Sequence, residues 1–433
     1  MKKFIQYINS KVLFKVANLN SITIGVKIAA GIITSKAIAI FIGAEGMALI
    51  GNLRNFLSAL QSFSIAGLYN GVVRFISQFK ENAEALSKTL STVFYLGFFT
   101  TMLVSFLCYY NADYINLFLF NDDYRYEYVI RIMAIVLPFY ALNMFVFSIM
   151  NGFSKYKILL VINIIGQTLG LLVTVLLIWQ DNIDGALVAV VITPALNLLI
   201  SLVGILYRKN LMHMVKVTNI SLSMLNRLSP YAIMALVSAI AIPIVLIIIR
   251  NYIIAEIGIK EAGYWEAMNR VSDYYLMFIN SLMTLYILPR FSEIDNKIEF
   301  RNEVFNFYKK IMPVFGVALL AIYFLRPFIV SLVFTEEFRP VEDLFGWQLL
   351  GDFIRVLSMV IAYQFLAKKM FGHFIIIEIF LFVIMYFSSV YLIDIFGIKG
   401  AVMAHCLSYF MHFGIILLIF GSSLFGVISH NDK

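Results

Sequence analysis

Charged residues are scarce in this chain. Asp, Glu, Lys and Arg make up 13% of its 433 residues, whereas they make up roughly 25% of a soluble globular protein. Hydrophobic residues make up 61%, and the mean hydropathy is +0.89. Segments of about ten residues with strict alternation of apolar and polar side chains, which would predict a membrane β-barrel, are also missing. This composition excludes an ordinary soluble domain.

Cysteine is rare in the chain, and nucleotide-binding motifs are absent from it. Cys108 and Cys406 both lie inside apolar runs, so they predict neither a disulfide framework nor a metal site. No Walker motif or other nucleotide loop is present, and we expect neither ATP nor any other cofactor or metal to serve this chain. The first twenty residues are basic, but their apolar residues are interrupted, which favours a lead-in to the first helix over a cleavable signal.

Long apolar runs are abundant. About 18 or more mostly apolar residues suffice to cross a hydrocarbon core roughly 30 Å thick, and such segments must satisfy their backbone hydrogen bonds internally, so they predict helices. The sequence therefore predicts an all-α membrane protein of about twelve transmembrane helices. Their expected ranges are 16–40, 47–73, 89–110, 129–150, 158–179, 185–207, 229–252, 263–289, 311–334, 343–366, 373–394 and 400–424.

The net charge of +8 is distributed as a topology signal. Loops rich in lysine and arginine, such as 74–88 and 290–310, alternate with loops that are acidic or neutral, such as 111–124 and 335–343. Because basic loops remain on the cytoplasmic side, both termini are expected in the cytoplasm, which requires an even number of helices. The basic surplus therefore does not indicate nucleic acid binding.

The chain also contains an internal repeat. The segment 119–124 matches 333–338, and Gly185-Ala186 recurs as Gly400-Ala401, with similar offsets in the same order. These matches predict two parallel six-helix repeats around a central cavity: an N-lobe at 1–215 with helices one to six, and a C-lobe at 216–433 with helices seven to twelve. Transporters built this way rock two bundles about a site between them. Duplication for stable packing alone is the alternative.

Several short motifs extend this interpretation. The most specific is Asp343-Leu344-Phe345-Gly346-Trp347-Gln348-Leu349, followed by Gly351-Asp352. Others are Lys27-Ile28-Ala29-Ala30-Gly31, Gly43-Ala44-Glu45-Gly46, Asn70-Gly71-Val72 and Leu288-Pro289-Arg290. From about residue 20 to its end, the chain resembles the Wzx-type lipid III and O-antigen flippases. These belong to the polysaccharide-transporter branch of the MOP superfamily, together with MATE exporters and the lipid II flippase.

The resemblance implies a function. The protein would move an undecaprenyl-diphosphate-linked oligosaccharide, an O-antigen or enterobacterial common antigen repeat unit, from the cytoplasmic to the periplasmic leaflet of a bacterial inner membrane by alternating access. Helices one, two, seven and eight would face the cavity. The implied partners are the polyprenyl-linked glycan, the lipid bilayer, and polysaccharide polymerase and chain-length regulator proteins.

Charged side chains within the predicted helices are the candidate site residues. A charge inside a bilayer normally faces protein or water, and a diphosphate that crosses the membrane needs cations to replace its water. The residues assigned to the diphosphate are Lys27, Lys36, Arg54, Arg270 and Arg355. Two alternatives stay open: Arg270 and Arg355 can pair within their helices with Glu266 and Asp352, and Lys36 can snorkel to the outer interface.

Two further groups of residues complete the predicted site. Four carboxylates could exchange a proton or a cation during transport, although flipping driven by the glycan gradient fits the sequence equally well; they are Glu266, Asp273, Asp352 and Glu378. Contacts to sugar rings are expected from Tyr69, Asn70 and Trp265. His405 and His412 are expected to form hydrogen bonds or to pack, rather than to bind metal.

Three other functions compete with flipping. A MATE-type ion-coupled exporter of small cationic molecules would have a mainly acidic cavity, whereas five basic and four acidic residues are predicted here. A membrane glycan polymerase or ligase would carry a long periplasmic loop with reactive side chains, whereas every predicted outer loop is shorter than about 20 residues. A channel or scaffold is disfavoured by the repeat.

Overall fold

The computed structural model describes residues 2–65, 67–79, 81–121, 125–153, 156–206 and 215–426. Within these ranges the side chains of 2–20, 203–206, Asn70, Arg74, Tyr156, Arg227, Pro230 and Tyr231 are not described. The described backbone is helical almost throughout. Its helices are α1 (Lys2–Phe41), α2 (Gly43–Ser64), α3 (Tyr69–Phe79), α4 (Ala83–Tyr110), α5 (Ala112–Phe120), α6 (Glu127–Gly152), α7 (Tyr156–Leu206), α8 (Leu222–Glu256), α9 (Ile259–Leu282), α10 (Leu288–Glu293), α11 (Lys297–Lys310), α12 (Met312–Phe324), α13 (Arg326–Val333), α14 (Phe345–Ala367), α15 (Phe371–Phe396) and α16 (Ile398–Phe425).

The described residues contain ten helical stretches that are long and apolar enough to cross a membrane. One of them, Lys157–Leu202, is 46 residues long and has non-helical backbone angles at Asp181 and Asn182, so it can cross twice. Helix α2 has 22 residues, which is long enough for a crossing at 1.5 Å per residue, but it is too polar to be among the ten. The prediction of an all-helical, multi-pass membrane protein is confirmed.

The expected single helix at 47–73 is wrong, because the chain breaks between α2 and α3. Gly67 has a φ of +63°, a left-handed conformation that glycine adopts without steric cost. A Cβ at Gly67 would lie 2.5 Å from the carbonyl oxygen of Ala232, so the break also packs tightly on α8. The expected helix at 311–334 is likewise interrupted, at Leu325 between α12 and α13.

Contacts within the chain divide it into two compact units. The first comprises residues 1–42 and 49–247, and the second comprises residues 43–48 and 248–433. In the first unit, the apolar face of α3 packs against α4 and α8, with Val72, Ile76, Leu90 and Leu228 fully or almost fully buried. The division into lobes at residue 215 stays a prediction.

The helices repeat along the chain at a nearly constant offset. Helix α6 ends at Gly152 and α14 ends at Ala367, 215 positions later. The backbone angles repeat with the same offset. Asn182, inside α7, has φ 48° and ψ −119°, and Gly397, between α15 and α16, has φ 60° and ψ −141°. The break in α7 is therefore the counterpart of the turn between α15 and α16.

The repeated glycines Gly185 and Gly400 occupy equivalent crowded positions. A Cβ at Gly185 would lie 1.9 Å from the carbonyl oxygen of Leu177, and one at Gly400 would lie 2.0 Å from that of Leu392. In both cases the carbonyl belongs to the residue eight positions earlier. The sequence repeat thus preserves a close backbone approach that only glycine permits.

Alanine at either repeated glycine is expected to destabilise the protein. The new methyl group would force the backbone apart in Gly185→Ala and in Gly400→Ala, at a cost of about 1–3 kcal/mol for each. Thermal unfolding of the purified protein in detergent measures this effect. Gly421→Ala is the control, because a Cβ at Gly421 meets no atom within 4 Å; equal melting temperatures for all three variants would contradict the prediction.

Candidate functional site

A buried ionic cluster joins α8 and α9 in the second unit. Glu266 bridges two arginines: its Oε2 accepts a hydrogen bond from Arg250 Nη2 at 2.5 Å, and its Oε1 accepts one from Arg270 Nε at 3.0 Å. The side chains of Arg250, Glu266 and Arg270 are 0%, 7% and 5% exposed. The pairing expected from the spacing of Glu266 and Arg270 is therefore formed in this structure.

Arg250 was not among the predicted site residues, although it is an ionisable residue inside a predicted transmembrane helix. Its guanidinium also lies over the Trp265 ring, 5.3 Å from the ring centroid, which is the geometry of a cation–π contact. Trp265 is 3% exposed. The predicted contact between Trp265 and a sugar ring would thus require another conformation.

A second polar cluster surrounds Asp352 of α14, which is fully buried. Its Oδ2 accepts hydrogen bonds from Ser272 Oγ and Tyr275 Oη of α9, both at 2.5 Å, and from Gln348 Nε2 at 3.2 Å. Its Oδ1 lies 3.0 Å from His405 Nε2 of α16. Burying a carboxylate is unfavourable unless hydrogen bonds compensate it, and four such contacts from three helices do so here.

Arg355 lies at the partly exposed edge of this cluster. Its Nη1 lies 3.9 Å from Asp352 Oδ1, and its side chain is 27% exposed. The guanidinium lies over Tyr409, 5.3 Å from the ring centroid. Arg355 also interacts electrostatically with Asp273, whose side chain is exposed on α9. Two oppositely charged side chains that are not fully buried thus adjoin the buried carboxylate.

Two more titratable groups lie near Arg355. Glu378 of α15 interacts electrostatically with Arg355, and among the described residues its buried Oε2 has no hydrogen-bond partner. His412 Nδ1 lies 2.7 Å from Ser358 Oγ. Both His405 and His412 are thus within hydrogen-bonding distance of polar side chains, as predicted.

The predicted cations of the first unit lie on α1 and α2. Lys27 is exposed, Arg54 is exposed, and Lys36 is half-buried. Among the described residues, the Lys27 ammonium makes no ion pair or hydrogen bond. Arg54 and Lys36 do have interactions. Their common assignment to the diphosphate stays a prediction.

Tyr69 and Asn70 lie at the start of α3. The Tyr69 hydroxyl accepts a hydrogen bond from Asn151 Nδ2 at 3.3 Å, and its ring lines a cavity between α3, α4 and α6. The side chain of Asn70 is outside the described part of the chain. The predicted contacts of these residues with sugar rings stay predictions.

Known proteins resemble this chain both in sequence and in fold. Lipid III flippase of Escherichia coli (strain K12) is 28% identical over 397 residues, which cover 91% of this chain and 95% of that protein. The lipid III flippase of Shigella flexneri matches to the same extent. Among solved structures, an inward-facing multidrug resistance MATE transporter of the MOP superfamily has a TM-score of 0.78 at 12% identity, with 93% of this chain and 96% of that chain covered.

The lipid II flippase MurJ, in its inward closed conformation, has a TM-score of 0.71 at 14% identity, with 94% of this chain and 87% of that chain covered. At such identities the likeness shows the fold, which is that of the MOP superfamily. The sequence profile of the family "Polysaccharide biosynthesis protein" matches residues 15–295. Because this match spans more than half of the chain, the protein belongs to the polysaccharide biosynthesis protein family.

Proposed function

We propose that this protein is a flippase for an undecaprenyl-diphosphate-linked oligosaccharide. The cargo would be an O-antigen or enterobacterial common antigen repeat unit, moved from the cytoplasmic to the periplasmic leaflet of the bacterial inner membrane by alternating access. The similarity to lipid III flippases along 91% of the chain carries this proposal. A transporter fold rather than an enzyme fold in the solved relatives supports it.

The exposed cations support a role in binding the diphosphate. Lys27 and Arg54 are exposed on α1 and α2. A charged side chain on a membrane helix is tolerated where it faces water or polar headgroups rather than lipid tails. Arg355 is also accessible in part. We assign these three, with Lys36, to the cargo's diphosphate, because ammonium and guanidinium groups can replace its hydration. Arg270 is buried and paired, so we assign it to the packing of α9.

The four predicted carboxylates likewise divide into one with a structural role and three assigned to ion exchange. Glu266 neutralises two buried arginines, which suits a structural role. Asp352 and Glu378 flank Arg355 on different helices, and Asp273 provides an exposed carboxylate nearby. We propose that Asp352, Asp273 and Glu378 hold the proton or cation that is exchanged if flipping is ion-coupled.

Removal of the exposed cations is expected to stop flipping at the cytoplasmic side. In cells that carry Lys27→Ala together with Arg54→Ala, we expect the undecaprenyl-linked glycan to accumulate on the cytoplasmic leaflet. We also expect surface glycan to fall at least about tenfold, which corresponds to 1.4 kcal/mol of lost stabilisation. Labelling of the glycan from each side of inverted and right-side-out vesicles measures its location.

The control for this experiment is a pair of exposed lysines on α11. The double substitution Lys309→Ala and Lys310→Ala also removes two positive charges, from the last turn of α11 in a basic loop. The amount of surface glycan is expected to equal that of the wild type. Normal surface glycan without Lys27 and Arg54 would refute their assignment. Periplasmic accumulation of the glycan in a deletion strain, or export of cationic dyes by the wild type instead, would refute flipping.

A further inference from the structure

Helix α9 and the π-helical turn that follows it carry exposed polar side chains deep within a membrane-spanning stretch. The stretch is Ile259–Glu293, 35 residues long, and its residues Asp273, Asn280 and Thr284 are exposed. At 1.5 Å per residue, all three lie within about 12 Å of the midpoint of the stretch. When the stretch is centred in a hydrocarbon core about 30 Å thick, these polar groups lie at the depth of the lipid tails.

The three polar residues share one face of the helix. Their separations of seven and eleven positions are close to two and three full turns of 3.6 residues. The opposite face is buried and bears Leu276, Ile279 and Met283, whereas a third face exposes Phe278 and Leu285. Large apolar side chains can face lipid tails, but charged and amide side chains inside a membrane face protein or water. The polar face therefore indicates a hydrated path at this depth.

Helix α14 runs beside this polar face in the second unit. Asp273 interacts electrostatically with Arg355 of α14, and Thr284 interacts with the Tyr363 side chain of α14. The two contacts follow the same order along both helices, so the helices are parallel here and their polar side chains form one band. The band is about 17 Å long at 1.5 Å per residue. We call it the α9–α14 polar band; it consists of Asp273, Asn280, Thr284, Arg355 and Tyr363.

The part of the band around Asn280 has hydrogen-bonding capacity that the protein does not use. Among the described residues, the Asn280 side-chain amide forms no hydrogen bond. The Thr284 hydroxyl donates to the Asn280 carbonyl at 3.0 Å, which leaves its oxygen able to accept. Amides and hydroxyls both donate and accept hydrogen bonds, as the hydroxyl and N-acetyl groups of sugars do, whereas lipid tails offer no partner. This part of the band therefore suits an uncharged polar ligand.

We propose that Asn280 and Thr284 bind the sugar units next to the cargo's diphosphate, an inference that rests on the proposed function. Arg355, which is assigned to the diphosphate, belongs to the same band and lies beside Asp273. From Asp273 to Asn280 the helix rises about 10 Å at 1.5 Å per residue. The first sugars joined to a diphosphate at Arg355 thus reach Asn280, and the charged and uncharged parts of the headgroup each find matching side chains.

Two lipids that differ only in their sugars test this site. Full-length protein in detergent is incubated with undecaprenyl diphosphate, or with the same lipid carrying two N-acetylglucosamine units, and retained lipid is counted by native mass spectrometry. The wild type is expected to retain more of the sugar-bearing lipid. Asn280→Leu together with Thr284→Val keeps the side-chain volumes but removes the hydrogen-bonding groups. This variant is expected to retain at least about tenfold less sugar-bearing lipid and an unchanged amount of undecaprenyl diphosphate.

Thr168→Val on α7 is the matched control. Thr168 is an exposed threonine whose hydroxyl donates to the carbonyl four positions earlier, at 2.9 Å, as that of Thr284 does, but it lies outside the band. Its variant is expected to retain both lipids as the wild type does. Asn280→Gln keeps an amide and is expected to retain most of the sugar-bearing lipid. If the double variant does not fold, Asn280→Leu and Thr284→Val are measured singly, each with a smaller expected loss.

Three results would overturn the sugar site. One is unchanged retention of the sugar-bearing lipid in folded variants of Asn280 and Thr284. Another is an equal loss of undecaprenyl diphosphate, which would make these residues part of the diphosphate site. The third is an equal loss in Thr168→Val. With any of them, cytoplasmic glycan accumulation in the Lys27→Ala and Arg54→Ala strain still supports flipping. Periplasmic glycan in a deletion strain refutes flipping whatever the lipid-binding result.

Discussion

Glu266→Ala is expected to lower the free energy of unfolding by about 3–5 kcal/mol. The substitution leaves Arg250, which is 0% exposed, and Arg270, which is 5% exposed, without the carboxylate that both contact. Removal of one partner from a buried ion pair has a cost of this size because the remaining charge is uncompensated. Two arginines share this carboxylate, so the loss affects both α8 and α9.

Glu84→Ala is the control for this experiment. Glu84 forms an ion pair with Lys88 at 2.6 Å, a distance close to that of the buried pair, but the two side chains are 79% and 44% exposed. Pairs of this kind contribute little because water and salt screen them, so no measurable change is expected. Both variants are unfolded in detergent by heat and by denaturant. The structural role of Glu266 would be contradicted by a loss no greater than that of Glu84→Ala.

The spacing of charged residues along single helices predicted only some of the contacts in the two polar clusters. The pair of Glu266 and Arg270 follows from neighbouring positions on one helical face, and the pair of Asp352 and Arg355 follows in the same way. Arg250, however, is 16 positions before Glu266 on another helix. Its contact depends on how α8 packs against α9, which a helical periodicity does not encode.

The donors around Asp352 were unpredictable for the same reason. Ser272 and His405 lie on other helices, 80 and 53 positions away from Asp352 along the chain. Asp352 itself was recognisable, because an acidic residue inside an apolar helix requires compensation. Its role as the centre of a cluster depends on tertiary contacts.

The helical, membrane-spanning character of the chain and its internal repeat were predictable, whereas the helix break was not; the sequence predicted about twelve membrane helices, and the described residues contain ten long and apolar enough to span. Apolar length and the matching glycines Gly185 and Gly400 are properties of the sequence alone. The end of α2 depends on the left-handed backbone of Gly67 and on Thr101, which satisfies the freed Ser64 carbonyl from another helix. The hydrophobic sequence continues across this break, and therefore indicated a single helix.

Asp352→Asn is expected to reduce flipping at least about tenfold while the protein still folds. The substitution keeps the size of the side chain, and the hydroxyls of Ser272 and Tyr275 can turn to accept hydrogen bonds from the new amide. The negative charge next to His405 and Arg355 is lost. The attraction between Arg355 and the polar cluster around residue 352 is then weaker. The site can also no longer bind a proton or cation at this carboxylate.

Flipping into vesicles under an imposed proton or sodium gradient tests this prediction. Asp343→Asn is the matched control, because Asp343 is a 67% exposed partner of Lys399 at 3.0 Å, and its loss of charge is screened by water. If flipping is ion-coupled, the wild type and Asp343→Asn respond to the effective gradient, whereas Asp352→Asn does not. If Asp352→Asn flips slowly but keeps the full gradient response, Asp352 only fixes the packing of its three helices, because a carboxylate that carried the coupled ion could not be neutralised without loss of that response.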